Sequence, residues 1–245
     1  MAKTKRIEDV SGSGRVEKHV DIENMKFSVD FSGIEVEEVY DLHSEESEII
    51  TSNFYNSECV LFYVSNSYFM AYRAIYKHLL QKIDIYKENS SNSNLNQIYR
   101  HILPYYYCFR HYVETELKSF SIATKRISVL IEHDLSVLLE DVIEGVNNLS
   151  LDFKTIKPKK GQEILELKKE LISHLMQLKL LILEYKKIEP TPEYFRYIID
   201  SDFICRYPNV ELDLNYTENL FGNIIDEFKK IEKIMFNIVD FSRLV

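Results

Sequence analysis

The sequence predicts a mainly α protein, a helical bundle with a small N-terminal β-hairpin element. Three observations carry this. Only six Gly and five Pro among 245 residues leave few places for tight turns. Long stretches repeat apolar residues every three or four positions. Alternation of period two marks a short segment near the N-terminus, Phe27 to Val36.

Residues 1–20 are polar, include "SGSG" at 11–14, and read as a flexible tail. A single helical domain is expected over 21–245, with a β appendage in 21–60. Within that appendage Phe27, Val29 and Phe31, then Ile34 and Val36, alternate around Ser32-Gly33, the pattern of a hairpin turn. Leu61, Val64, Tyr68, Tyr72, Ile75, Leu79, Ile83 and Tyr86 mark the first long helix. "NSSNSNLN" (89–96) reads as a polar loop, and the next helix runs to about Ile122 with Pro104 in its first turn or at a kink. A shorter helix starts at His133-Asp134, with Asp134 as its N-cap, and ends near Gly145. "KTIKPKKG" (154–161) is a basic linker before a long helix over 162–187. "EPTPE" (189–193) breaks that helix and leads into a short one over 192–199. A last helix starts near "NYTEN" and continues to about Phe241.

A net charge of −9 argues against nonspecific coating of nucleic acid, though a local basic site is compatible with it. The first residues lack a signal peptide's apolar core, and no uncharged run is long enough to span a bilayer, so a cytoplasmic protein with no membrane partner is expected. Cys59, Cys108 and Cys205 form no CxxC and read as reduced thiols. HExxH, paired His at ligand spacing and clustered Cys are all missing from the sequence, so no metal is expected; nor is there a Gly-rich phosphate cradle.

The stretch "FRHYVETELKSF" (109–120) carries the chemistry. At 100° per residue Arg110, Glu114 and Leu117 share one arc, with His111 and Lys118 beside it. Arg110–Glu114 and Glu114–Lys118 are i,i+4 pairs, so spacing alone reads as a solvated, salt-bridged flank. "LPYYYCFRHYVETELKSF", then "EHDLSVLLEDV", then "DSDFICRYP", resembles a group of prokaryotic proteins of the HEPN superfamily, helical nucleotide-binding and ribonuclease domains. The likeness spans roughly 102–240 and rests on Arg110, His111, Glu114, Leu117 and Lys118. It rests further on His133, Asp134, Leu135 and Leu138, and on Asp200, Phe203, Arg206, Tyr207 and Pro208.

The resemblance implies a metal-independent endoribonuclease without a cofactor, serving phage defence or a toxin system. It also implies RNA as partner and a homodimer with a shared cleft. His133, His111 and Arg110 would be catalytic; Arg206, Tyr207, Glu114 and Lys118 would bind, with Glu114 orienting Arg110. A His can take the 2′-hydroxyl proton and an Arg can hold the phosphate. The superfamily's signature, Arg then His after four to six residues, occurs as Arg73…His78 and Arg126…His133. In the second case "RISVLI" alternates like a strand, which places the helix start only at Asp134. The competing expectation is a noncatalytic helical module with a protein partner, whose polar cluster is a buried structural network. A cleft open to solvent would mark the first, and sealed, paired charges the second.

Overall fold

The computed structural model describes residues 5–11, 14–34, 57–125, 132–149, 158–189 and 209–243. In chain order these form β1 (Lys5–Ser11), β2 (Gly14–Asp21), β3 (Lys26–Ile34), α1 (Ser57–Glu88), α2 (Asn92–Lys125), α3 (Leu135–Asn148), α4 (Pro158–Tyr185), β4 (Asn209–Asp213) and α5 (Leu214–Arg243). The fold is mainly α, as the helical periodicity requires. The described residues group into two compact units: 5–11, 14–34, 70–108 and 209–217 in the first, and 57–69, 109–125, 132–149, 158–189 and 218–243 in the second.

In the first unit four antiparallel strands form a sheet in the order β1-β2-β3-β4. Two expectations are corrected here. The stretch read as a flexible tail forms β1 and β2, which pair antiparallel from Lys5 with Val20 to Ser11 with Gly14. Ser32-Gly33 is not a turn: β3 continues through it with a register shift beside Ser32, and Gly33 pairs with Arg15 of β2. The second reversal falls instead at 22–25, where the Asn24 N–H and side-chain amide donate to Asp21 and Met25 takes a left-handed φ of 56°. The β4 strand pairs Asn209–Asp213 with Asp30–Lys26, which no local pattern announces.

In the same unit the second half of α1 and the first half of α2 bury Tyr72, Leu79, Ile83 and Tyr86, and Leu95, Ile98, Ile102 and Tyr105, respectively. The Tyr72 and Tyr105 rings pack at 5.5 Å. Helix α2 begins earlier than the polar composition of 89–96 suggests, at Asn92. Ser91 Oγ accepts from the Asn94 N–H, and buried Leu95 and Ile98 set the helical face. Pro104 therefore lies well inside α2, at an exposed position.

In the second unit the Phe109 ring stacks on Phe221 of α5 at 3.5 Å and packs at 6.0 Å against Tyr185 of α4. Ile164, Leu171, Leu175, Leu178 and Ile182 line the inner face of α4, and Ile224, Phe228 and Ile231 that of α5. Asp134 caps α3 as predicted, accepting from the Ser136 N–H at 2.8 Å. Gly145 does not end α3; it is buried inside the helix, which continues to Asn148. Helix α4 opens at Pro158, so part of the expected basic linker is its first turn. The short helix expected over 192–199 lies outside the described residues.

Candidate functional site

All fourteen residues from Phe109 to Ile122 are buried, more than three full turns of α2. A helix covered on every side is the centre of its bundle. This one nevertheless carries Arg110, His111, Glu114, Thr115, Glu116, Lys118 and Ser119. The solvated-flank expectation is therefore overturned: Arg110 is 1% exposed and Glu114 4%.

Glu114 organises the cluster. Its Oε2 accepts from Arg110 Nη1 at 2.9 Å. Its Oε1 accepts from Lys118 Nζ at 2.7 Å and lies 2.7 Å from His133 Nδ1. Burial raises the Glu114 pKa, but the Lys118 hydrogen bond and the Arg110 and Lys118 charges outweigh that and hold it below the usual carboxylate range. Arg110 uses its remaining nitrogens elsewhere: Nε donates to Glu189 at 2.9 Å and Nη2 to the His133 carbonyl. Burial pushes the Glu189 carboxyl up to about 7, and the Arg110 charge offsets this only in part. Two carboxylates share one guanidinium.

At the start of α3, Asp134 caps the helix and accepts from Lys186 Nζ at 2.8 Å. Burial raises its pKa; the Lys186 and Ser136 hydrogen bonds more than cancel this, and the net shift is downward. Glu132 accepts from the backbone N–H groups of His133 and Asp134, fixing the turn that presents His133. Arg110, Asp134, Leu135, Lys186 and Glu189 line a cavity of about 10 Å³, room for a single water rather than a nucleotide.

Of the predicted site residues, Arg110, Glu114, Lys118 and His133 meet. His111 borders them, with Nδ1 3.9 Å from Glu114 Oε2, beyond hydrogen-bond range, and its ring stacked on Tyr68 at 5.0 Å. Arg206 and Tyr207 lie outside the described residues. Glu189 and Lys186 escaped the sequence reading, which treated 189–193 only as a helix breaker. The one trace in the sequence is charge placed directly after the last apolar turn of α4.

Two further polar pairs cross the same unit. Ser65 donates to Glu116, whose carboxyl is pushed up to about 7 by burial, with Glu232 adding to the rise. His174 Nδ1 lies 2.8 Å from Glu227, which also accepts from Lys230.

No cluster of three or more His, Cys, Asp or Glu suited to a metal ion occurs among the described residues. None of their helices is long and apolar enough to cross a membrane. No protein family, curated protein or solved structure matches the chain.

Proposed function

We propose that this chain is a noncatalytic helical interaction module of the HEPN-like kind, in which the Arg110–Glu114–Lys118–His133 constellation holds the bundle together and the outer surface meets a protein partner. One observation carries the reading: Arg110 is buried and spends Nε, Nη1 and Nη2 on Glu189, Glu114 and the His133 carbonyl. A guanidinium that binds phosphate must present donors to solvent, and freeing these would take from buried Glu189 its Arg110 cation and leave Glu114 with Lys118 and His133 alone. The 10 Å³ cavity beside it points the same way. A close His–carboxylate contact does not by itself mark catalysis here, since His174–Glu227 repeats the geometry far from any motif. The setting, a defence or phage-encoded system, follows from the resemblance alone.

A second reading rests on a different observation. The His133 side chain is 38% exposed, the most open member of the network, and its Nδ1 is fixed by a charged carboxylate. That arrangement leaves Nε2 to accept a proton. In a metal-independent endoribonuclease it would take the 2′-hydroxyl proton as that oxygen attacks the adjacent phosphorus. The 5′-oxygen would leave with a proton drawn from water, giving 2′,3′-cyclic phosphate and 5′-hydroxyl ends.

Incubating the purified chain with total RNA and defined tRNAs in EDTA separates the two. Intact RNA supports the module. Cleavage to cyclic-phosphate ends that disappears in His133→Ala overturns it in favour of the ribonuclease.

A further inference from the structure

Outside the Glu114 network, the first unit brings two histidines together. His78 of α1 and His101 of α2 sit with ring centroids 4.8 Å apart and planes at 52°, neither a parallel stack nor an edge-on contact. His78 is exposed and His101 partly so. The backbone beneath them is held by packing: Tyr72 meets Tyr105 on one side of the pair, and Leu79, Ile98 and Ile102 are buried beside it. Both rings therefore stand on rigid helical positions.

The His101 ring has a defined tautomer. Its Nδ1 lies against the Gln97 carbonyl, which can only accept, so in the neutral ring Nδ1 carries the proton and Nε2 the lone pair. A metal-bound histidine is commonly oriented in this way, its second nitrogen donating to a backbone carbonyl. The ring separation agrees. An imidazole nitrogen binds a transition ion at about 2.0–2.1 Å, which puts each ring centre about 3.2 Å from the ion. Two such rings at about 90–109° around one ion have centres about 4.5–5.2 Å apart, and 4.8 Å falls inside that interval.

Arg73, which precedes His78 at the signature spacing, plays no part there. Five residues set the two about 140° apart round α1, and the Arg73 guanidinium lies over the Tyr76 ring at 5.9 Å. Lys77 and Arg100 each adjoin a histidine in sequence but point about 100° away round their helices. Lys82, one turn beyond His78, is the nearest cation by position; it repels a bound ion and opposes tight binding. No group of three or more His, Cys, Asp or Glu suited to a metal occurs among the described residues, so these two imidazoles are the protein ligands and water completes the shell.

We propose that His78 and His101 form a two-imidazole site for a divalent transition ion of the Ni(II), Cu(II) and Zn(II) kind. Imidazole suits these ions, whereas Mg(II) and Ca(II) take oxygen ligands. With two protein ligands the ion is exchangeable, unlike one in a closed four-ligand structural site. Sequence spacing misses the pair because its members come from different helices. The site is independent of how the Arg110 cluster is read.

Calorimetric titration of the full, untagged chain with Cu(II), Ni(II) and Zn(II) should show a saturable site at one ion per chain. His78→Gln and His101→Gln should each raise its dissociation constant about tenfold or more, with unchanged circular dichroism, and His174→Ala should not. Electron paramagnetic resonance of the Cu(II)-loaded chain reads the donors without any substitution, and two imidazole nitrogens are expected. No saturable binding up to about 1 mM, or binding indifferent to both Gln variants, overturns the proposal. A Cu(II) spectrum with a single imidazole overturns a shared ion. Comparable binding of Mg(II), lost in the same variants, overturns the imidazole chemistry.

Discussion

Arg110 Nε donates to Glu189 over 2.9 Å across 79 residues of sequence, tying the segment just past α4 to the middle of α2. The same guanidinium holds Glu114 and the His133 carbonyl, so one side chain joins three parts of its unit. Arg110→Ala would leave Glu114 and Glu189 buried without their shared cation. Breaking a buried pair in this way costs about 3–5 kcal/mol. Urea unfolding monitored by circular dichroism should show that loss; a change below about 1 kcal/mol would mean that water reaches both carboxylates.

The buried carboxylates give stability a pH dependence of defined sign. Glu116 and Glu189 have folded-state pKa values raised to about 7 by burial, against 4.5 for the unfolded chain. The folded state therefore holds more protons between those values, and stability falls as pH rises from about 4.5 through 7. Glu114 and Asp134 act oppositely: their pKa values are lowered, so their contribution is present above the ordinary carboxylate range and is lost as pH falls through it. Thermal unfolding should show a midpoint that declines from pH 5 to pH 8. Glu116→Gln with Glu189→Gln should flatten that decline. An unchanged slope in the double variant would assign the dependence to other groups.

The helical bundle was legible because its signals are local. The Asp134 cap, the apolar rows of α1, α4 and α5 and the i,i+4 spacing of Arg110, Glu114 and Lys118 are all fixed within a turn or two of chain. Partners brought in from afar were not. Neither the pairing of β3 with β4 nor the identity of Arg110 as the partner of Glu189 can be read from the neighbouring residues. The burial of the charged flank was misread for the same reason. Periodicity says which residues share a face; it does not say whether another helix covers that face.

Phe109, next to Arg110 on α2, stacks on Phe221 with ring centroids 3.5 Å apart and the two rings nearly parallel. Both are fully buried, and Tyr185 closes the third side. Phe109→Ala should destabilise the chain by about 3–5 kcal/mol through lost contact and the cavity left behind. Phe109→Leu should cost markedly less, since it refills most of that volume. Equal losses for the two would point to ring stacking rather than volume as the main term.

Asp134 has two roles that substitution can separate. It caps α3 through the Ser136 N–H, and it accepts Lys186 at 2.8 Å from the end of α4. Asn keeps a side-chain oxygen for the cap but gives up the charge; Ala loses both. A missing N-cap costs about 1 kcal/mol. The ion pair is partly open to solvent and contributes less, at most about 1 kcal/mol. Asp134→Asn should therefore sit close to wild type above the carboxylate range, while Asp134→Ala should lose about 1–2 kcal/mol and fray the first turn of α3. Amide exchange at Ser136 and Val137 reads the cap directly: fast exchange in the Ala variant alone supports this division. Equal exchange in both variants would mean that the Lys186 contact, not the cap, holds the start of α3.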